Sequence, residues 1–76
     1  MNNVRRKAIQ KVMEMLDDAR VMLDELREEE EEYRDNMPDN LQGSERYDKA
    51  DEAVYQMEDA VSSLEEIVSN LEEVIS

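Results

Sequence analysis

The chain has 76 residues, no cysteine, no histidine, one proline and one glycine, and a formal net charge of -13 with 41% of residues charged. A chain this short makes one small domain at most, and without Cys or His it has no disulfide, no thiol nucleophile and no usual zinc site. Below roughly 80 residues a single core is often supplemented by a staple, and association is the one this composition leaves open.

The charge is uneven from the start. Arg5, Arg6, Lys7 and Lys11 give the first 11 residues +4 with no acid, so the rest, with 5 bases and 22 acids, stands at -17. That sign argues against direct nucleic-acid binding, because phosphates would be repelled. No apolar run follows the basic start or approaches the roughly 20 residues that span a bilayer, so no signal peptide and no membrane contact are expected. The cysteine-free composition suits a reducing cytoplasm.

A first helix is expected over residues 3–36. Ile9, Val12, Leu16, Ala19, Leu23, Leu26, Glu30, Tyr33 and Met37 recur in alternating steps of three and four, a heptad seam interrupted by one acid. Pro38 cannot continue this helix and pushes Met37 away from helical angles. The segment 37–43 is therefore a loop, and Gly43 breaks the pattern again. Ser44 is a good N-cap for a second helix over 44–75, with Glu45 and Asp48 in its positively polarised first turn. Asp39, with Gln42 three residues on, is the competing cap. The second seam runs Tyr47, Ala50, Val54, Met57, Val61, Leu64, Val68, Leu71 and Ile75 with the same alternation.

Two helices of equal length and a short connection predict an all-α fold, an antiparallel helical hairpin of coiled-coil type. Aligning residues whose numbers add to 80 gives layers such as Tyr33–Tyr47, Leu26–Val54, Leu23–Met57 and Leu16–Leu64, with Glu30 opposite Ala50 and free to bend toward Arg46 or Lys49. One flank is then charged: Arg6, Arg20 and Arg27 face Glu72, Glu58 and Asp51. The other flank is apolar. It carries Ala8, Met15 and Met22 on the first helix and Ala53, Ala60, Ile67 and Val74 on the second. Such a stripe on a monomer wants a cover. A second copy would make a homodimeric four-helix bundle; a groove for another protein's helix is the alternative.

No residue set points to catalysis. General-base His, nucleophilic Cys, phosphate-cradling glycine loops and metalloprotease motifs are all missing. The run Glu28–Glu32 is a helical charge run and not a calcium loop, so neither a metal nor another cofactor is expected. Two features remain as binding candidates. Asp17, Asp18, Asp24, Glu25, Glu28, Glu31, Glu32 and Asp35 make an acidic ridge on the outer face of the first helix. Neighbours three or four apart lie about 5–6 Å apart, the order of phosphate spacing along a DNA strand, so the ridge could imitate nucleic acid toward a basic groove. The loop supplies Leu41, Gln42, Arg46 and Tyr47, more side-chain variety than a bare turn requires.

The stretch "NMPDNLQGSERYDKADEAV" over 36–54, followed by "LEEIVSNLEEVI", resembles small acidic proteins encoded in phages and prophages of gut Firmicutes. The likeness covers the loop and second helix, and "NLQGSERY" is its most distinctive part. It implies a non-enzymatic accessory protein of the anti-CRISPR or wider anti-defence class, acting in the host cytoplasm on a host protein with a nucleic-acid-binding groove. The alternative is a structural or assembly module whose role is oligomerisation.

Overall fold

A computed structural model describes all residues from Met1 to Ser76. Two helices, α1 (Asn3–Asp35) and α2 (Glu45–Ile75), flank a short 3-10 turn at Asp39–Leu41. They pack as a hairpin, a rod of 60 × 15 × 13 Å. The cross-helix ion pairs Arg34–Asp51 and Arg20–Glu65 fix the direction: as one number falls by 14 the other rises by 14, so the helices run antiparallel.

The helix ends follow from local chemistry. Asn2 Oδ1 accepts from the Arg5 N–H at 2.8 Å and caps α1. The chain leaves α1 at Asn36, whose N–H donates to the Glu32 carbonyl at 2.9 Å, and Pro38 then holds an extended conformation with φ -58° and ψ 149°. Of the two candidate caps for α2, Ser44 is the one in place. Its Oγ accepts from the Tyr47 N–H at 3.2 Å, and its hydroxyl donates back to the Leu41 carbonyl. Asp39 instead opens the 3-10 turn and accepts the Gln42 side-chain amide at 3.4 Å.

The interior is thin. Only Met37, Ala50, Val54 and Val61 are buried, with Val54 1% exposed. On α2 the inward residues are those of the expected seam: besides the three buried ones, Met57, Leu64, Val68, Leu71 and Ile75 are half-buried. On α1 the inward face differs from the expectation. Ile9, Leu16 and Leu23 turn inward, but their companions are Arg6, Met13, Arg20, Arg27 and Arg34, while Val12, Ala19, Leu26 and Tyr33 are exposed. The helix is turned by about half the angle between neighbouring residues, which are 100° apart at 3.6 residues per turn. Arginine makes this arrangement workable, because its methylene stem covers apolar surface while its head reaches an acid.

The guanidinium groups form a ladder along that flank. Arg20 meets Asp17 at 3.0 Å and Glu65 at 3.9 Å; Arg34 meets Asp35 at 3.0 Å and Asp51 at 2.8 Å. Arg27 is held within α1 by Asp24 at 2.9 Å, by Glu28 at 3.5 Å and by Glu31. The cross-helix pairs add to 85, seven above the 78 of the expected Arg20–Glu58 and Arg27–Asp51 pairs. Two causes act in the same direction. Side chains lean toward the N-terminus of their own helix, so antiparallel partners meet beyond the level of their Cα atoms, and arginine is long. Arg6, expected opposite Glu72, has a buried Nε with no hydrogen-bond partner.

Hydrogen bonding to Asp24 is the largest influence on Arg27 and bonding to Asp35 the largest on Arg34; both hold the guanidinium above its ordinary range against an opposing desolvation. A raised base contributes stability below its unfolded-state value and loses it only as pH climbs through the folded one. That window lies above physiological pH.

Two outcomes test this geometry. Ser44→Ala should lower stability by about 1 kcal/mol in urea denaturation, while Asp39→Ala leaves it almost unchanged; the reverse order would move the cap. A double-mutant cycle should find favourable coupling between Arg34 and Asp51 and none between Arg27 and Asp51. Coupling of the second pair alone would restore the expected Arg27–Asp51 pairing.

Candidate interaction surfaces

Three surfaces could meet a partner. The first is at the loop. Leu41 and Arg46 line a groove of about 470 Å³ together with Tyr33, Met37 and Pro38. Gln42 stands exposed at the tip and spends its amide on Asp39. Tyr47 is half-buried in the first turn of α2. The four loop candidates are thus divided between a groove, a tip and a helix start. Met37 is buried as its seam position predicts and also floors this groove, whereas Tyr33, expected in the end layer against Tyr47, is exposed on its wall. Its place in the last full turn before Pro38, where α2 no longer covers α1, is the signal that points to the groove.

Tyr33 also lines two further grooves. One, of about 500 Å³, holds Glu30, Arg46, Lys49, Ala50 and Ala53. The other, of about 510 Å³, holds Leu26, Glu29, Glu30 and Met57. Glu30 therefore has Arg46 and Lys49 as groove neighbours, as its place opposite Ala50 suggested, yet it bonds to neither. Lys49 pairs with Glu45 at 3.2 Å.

The acidic ridge is the second surface, and its own helix partly neutralises it. Asp17, Asp24, Glu28, Glu31 and Asp35 all lie within 4.0 Å of Arg20, Arg27 or Arg34. Asp18, Glu25 and Glu32 form a separate row, exposed and without an ion partner. On α2, Glu52, Glu58, Asp59, Glu66, Glu72 and Glu73 are equally free of bases. Unpaired acidity is therefore spread over both helices. Nowhere do three or more acids converge in a way that could hold a metal ion, and no helix is long and apolar enough to cross a membrane.

The third surface is the apolar edge. Ala8, Met15 and Met22 are exposed, Met15 at 63% and Met22 at 64%. Ala53 and Ala60 are half-buried, and Ile67 and Val74 are exposed at 43% and 48%. The turn of α1 widens this edge, because Val12, Ala19, Leu26 and Tyr33 now join it. Against a few hundred Å² for the largest apolar patch of a typical monomer, a stripe along most of a 60 Å rod is a large exposed surface.

No family model, curated protein or solved structure matches the chain.

Gly43 gives a test of the loop. Its φ is not positive, and a Cβ built on it meets nothing within 4 Å. Nothing in the fold demands glycine here. Gly43→Ala should stabilise the protein by about 0.4–1 kcal/mol by restricting the unfolded chain, read as a higher urea midpoint at unchanged slope. A lower midpoint would mean the loop needs a conformation alanine disfavours.

Proposed function

We propose that this is a non-enzymatic interaction protein that works as a homodimeric four-helix bundle, its apolar edges meeting in the middle and its acidic faces left in water. One observation carries the reading: the exposed apolar ridge of α1, with Met15 and Met22 each more than 60% exposed in the single hairpin. A second copy supplies a surface of matching length and chemistry. A face 60 by 15 Å offers roughly 900 Å² of footprint, close to the roughly 800 Å² each partner gives to a specific interface. Methionine packs adaptably against a partner without a fixed mould.

Within that frame the role is binding, and two versions differ in what the acids do. In the first, the dimer is an assembly module and the acids keep it soluble and select its partners. The self-neutralised row Asp17, Asp24 and Glu31 favours this version, since acids already clamped by arginine imitate phosphate poorly. In the second, the likeness of the loop and α2 to phage-encoded proteins makes it an inhibitor of a basic host defence protein. The free row Asp18, Glu25 and Glu32 supports that version, with Leu41 and Arg46 in the loop groove adding specificity.

Light scattering should give a mass near twice the 9.0 kDa of one chain. Met15→Glu should give a monomer, because the dimer would bury an unpaired charge, whereas in the single hairpin this side chain already faces solvent. A wild-type monomer at high concentration would refute self-association. The versions separate on capture from a bacterial lysate. Replacing Asp18, Glu25 and Glu32 with Asn or Gln should abolish a salt-sensitive capture if the acids recognise a basic partner, and change nothing if the protein only assembles.

A further inference from the structure

The ridge of α1 is bounded by opposite charges. Ala8, Val12, Met15, Ala19, Met22 and Leu26 follow one another in steps of four and three; the next position in the same rhythm is Arg5 at one end and Glu29 at the other. Both are exposed, and neither has an ion partner within its own hairpin. The series is also balanced about its centre. Residues whose numbers add to 34 pair as Met15 with Ala19, Val12 with Met22, Ala8 with Leu26 and Arg5 with Glu29. Every apolar pair sets a larger side chain against a smaller one, and the last pair is an attraction.

We infer that two copies dock head to tail, with α1 packed antiparallel on α1 of the second copy so that residue numbers across the seam add to 34. The inference rests on the self-association proposed above and adds its orientation and register. By the two-fold symmetry each pair occurs twice, so Arg5 of each copy meets Glu29 of the other. On the flank just outside the seam, where facing numbers add to 36, Lys11 comes beside Glu25, and these too lack partners within the hairpin. Asp18 meets its own copy at the centre, a like-charge contact on the solvated rim.

Charge over the whole rod selects the same orientation. Residues 19–60, the loop half, hold 5 bases and 15 acids and stand at -10; the other half, with 4 bases and 7 acids, stands at -3. Docking with loops together would set -10 beside -10 within a Debye length of about 8–10 Å. Head-to-tail docking sets -10 beside -3. The bases at the start of α1 do not serve their own helix: its first turn has no acid and carries Arg5 and Arg6 against the positive end of the dipole. A partner's acidic segment gives them a counter-charge.

A charge swap tests the register by sedimentation equilibrium. Arg5→Glu or Glu29→Arg alone should weaken dimerisation about tenfold, two lost attractions becoming two repulsions, and the two changes together should restore it to within about twofold of wild type. Both sites are exposed, so circular dichroism should show helix content unchanged. A spin label on Gln42→Cys reads the orientation independently, since head-to-tail docking places the two loops at opposite ends of the dimer. A short loop-to-loop distance, or swap effects that merely add, would overturn the head-to-tail seam while leaving self-association standing. A monomeric wild type would overturn both.

Discussion

The molecule is governed by how little it can enclose. A hairpin gives each helix one neighbour, and four residues of 76 are buried in a rod 60 Å long. The accessible surface is 5748 Å², against about 4,900 Å² for a compact protein of this mass. The excess is partly apolar, because methionine, valine and leucine side chains that one partner helix cannot cover stay in water. Covering them is the main source of stability a lone hairpin forgoes.

The two edges of the rod handle this differently. On one, Arg20, Arg27 and Arg34 lay their stems over the seam and place their heads among Asp17, Asp24, Glu31, Asp35, Asp51 and Glu65. Each exposed pair contributes little, but a continuous ladder keeps that edge polar and closed. The other edge receives everything the ladder displaces: the turn of α1 that brings arginine inward carries Val12, Ala19, Leu26 and Tyr33 outward. The polar, closed edge and the apolar, open edge therefore share one cause. The acids bound in the ladder are withdrawn from the outer field, which leaves Asp18, Glu25 and Glu32 as the part of the ridge still open to a basic protein.

Much of the fold was legible in the sequence. The alternating spacing of apolar residues gave two long helices, Pro38 ended the first, and Ser44 capped the second as its hydroxyl chemistry requires. The inward face of α2 was readable because an acidic row, Asp51, Glu58, Glu65 and Glu72, closes one flank of its seam and short carboxylates stay near water. That of α1 was not, because the same flank carries Arg6, Met13, Arg20 and Arg27, whose long stems can turn inward in place of the apolar residues on the other side. The choice of ion-pair partners along the flank escaped for a related reason. The flanking charges match equally well after a slip of one heptad: Arg20 can meet Glu58 or Glu65, and Asp51 can meet Arg27 or Arg34. Side-chain lean and arginine's reach decide the matter, and neither is visible in a charge pattern. Of the binding candidates, the apolar edge was legible from spacing alone. The division of the acidic ridge into clamped and free rows depends on rotamers, and the groove around Tyr33 depends on the turn of α1.

The proposed self-association would make stability depend on concentration, and this is the most direct measurement of the central claim. Thermal unfolding followed by circular dichroism over a roughly hundredfold range of protein concentration should show a midpoint that rises with concentration, as mass action requires when the folded state is a dimer. A midpoint constant over that range, at the mass of a single chain, would contradict it and return the apolar edge to some other partner.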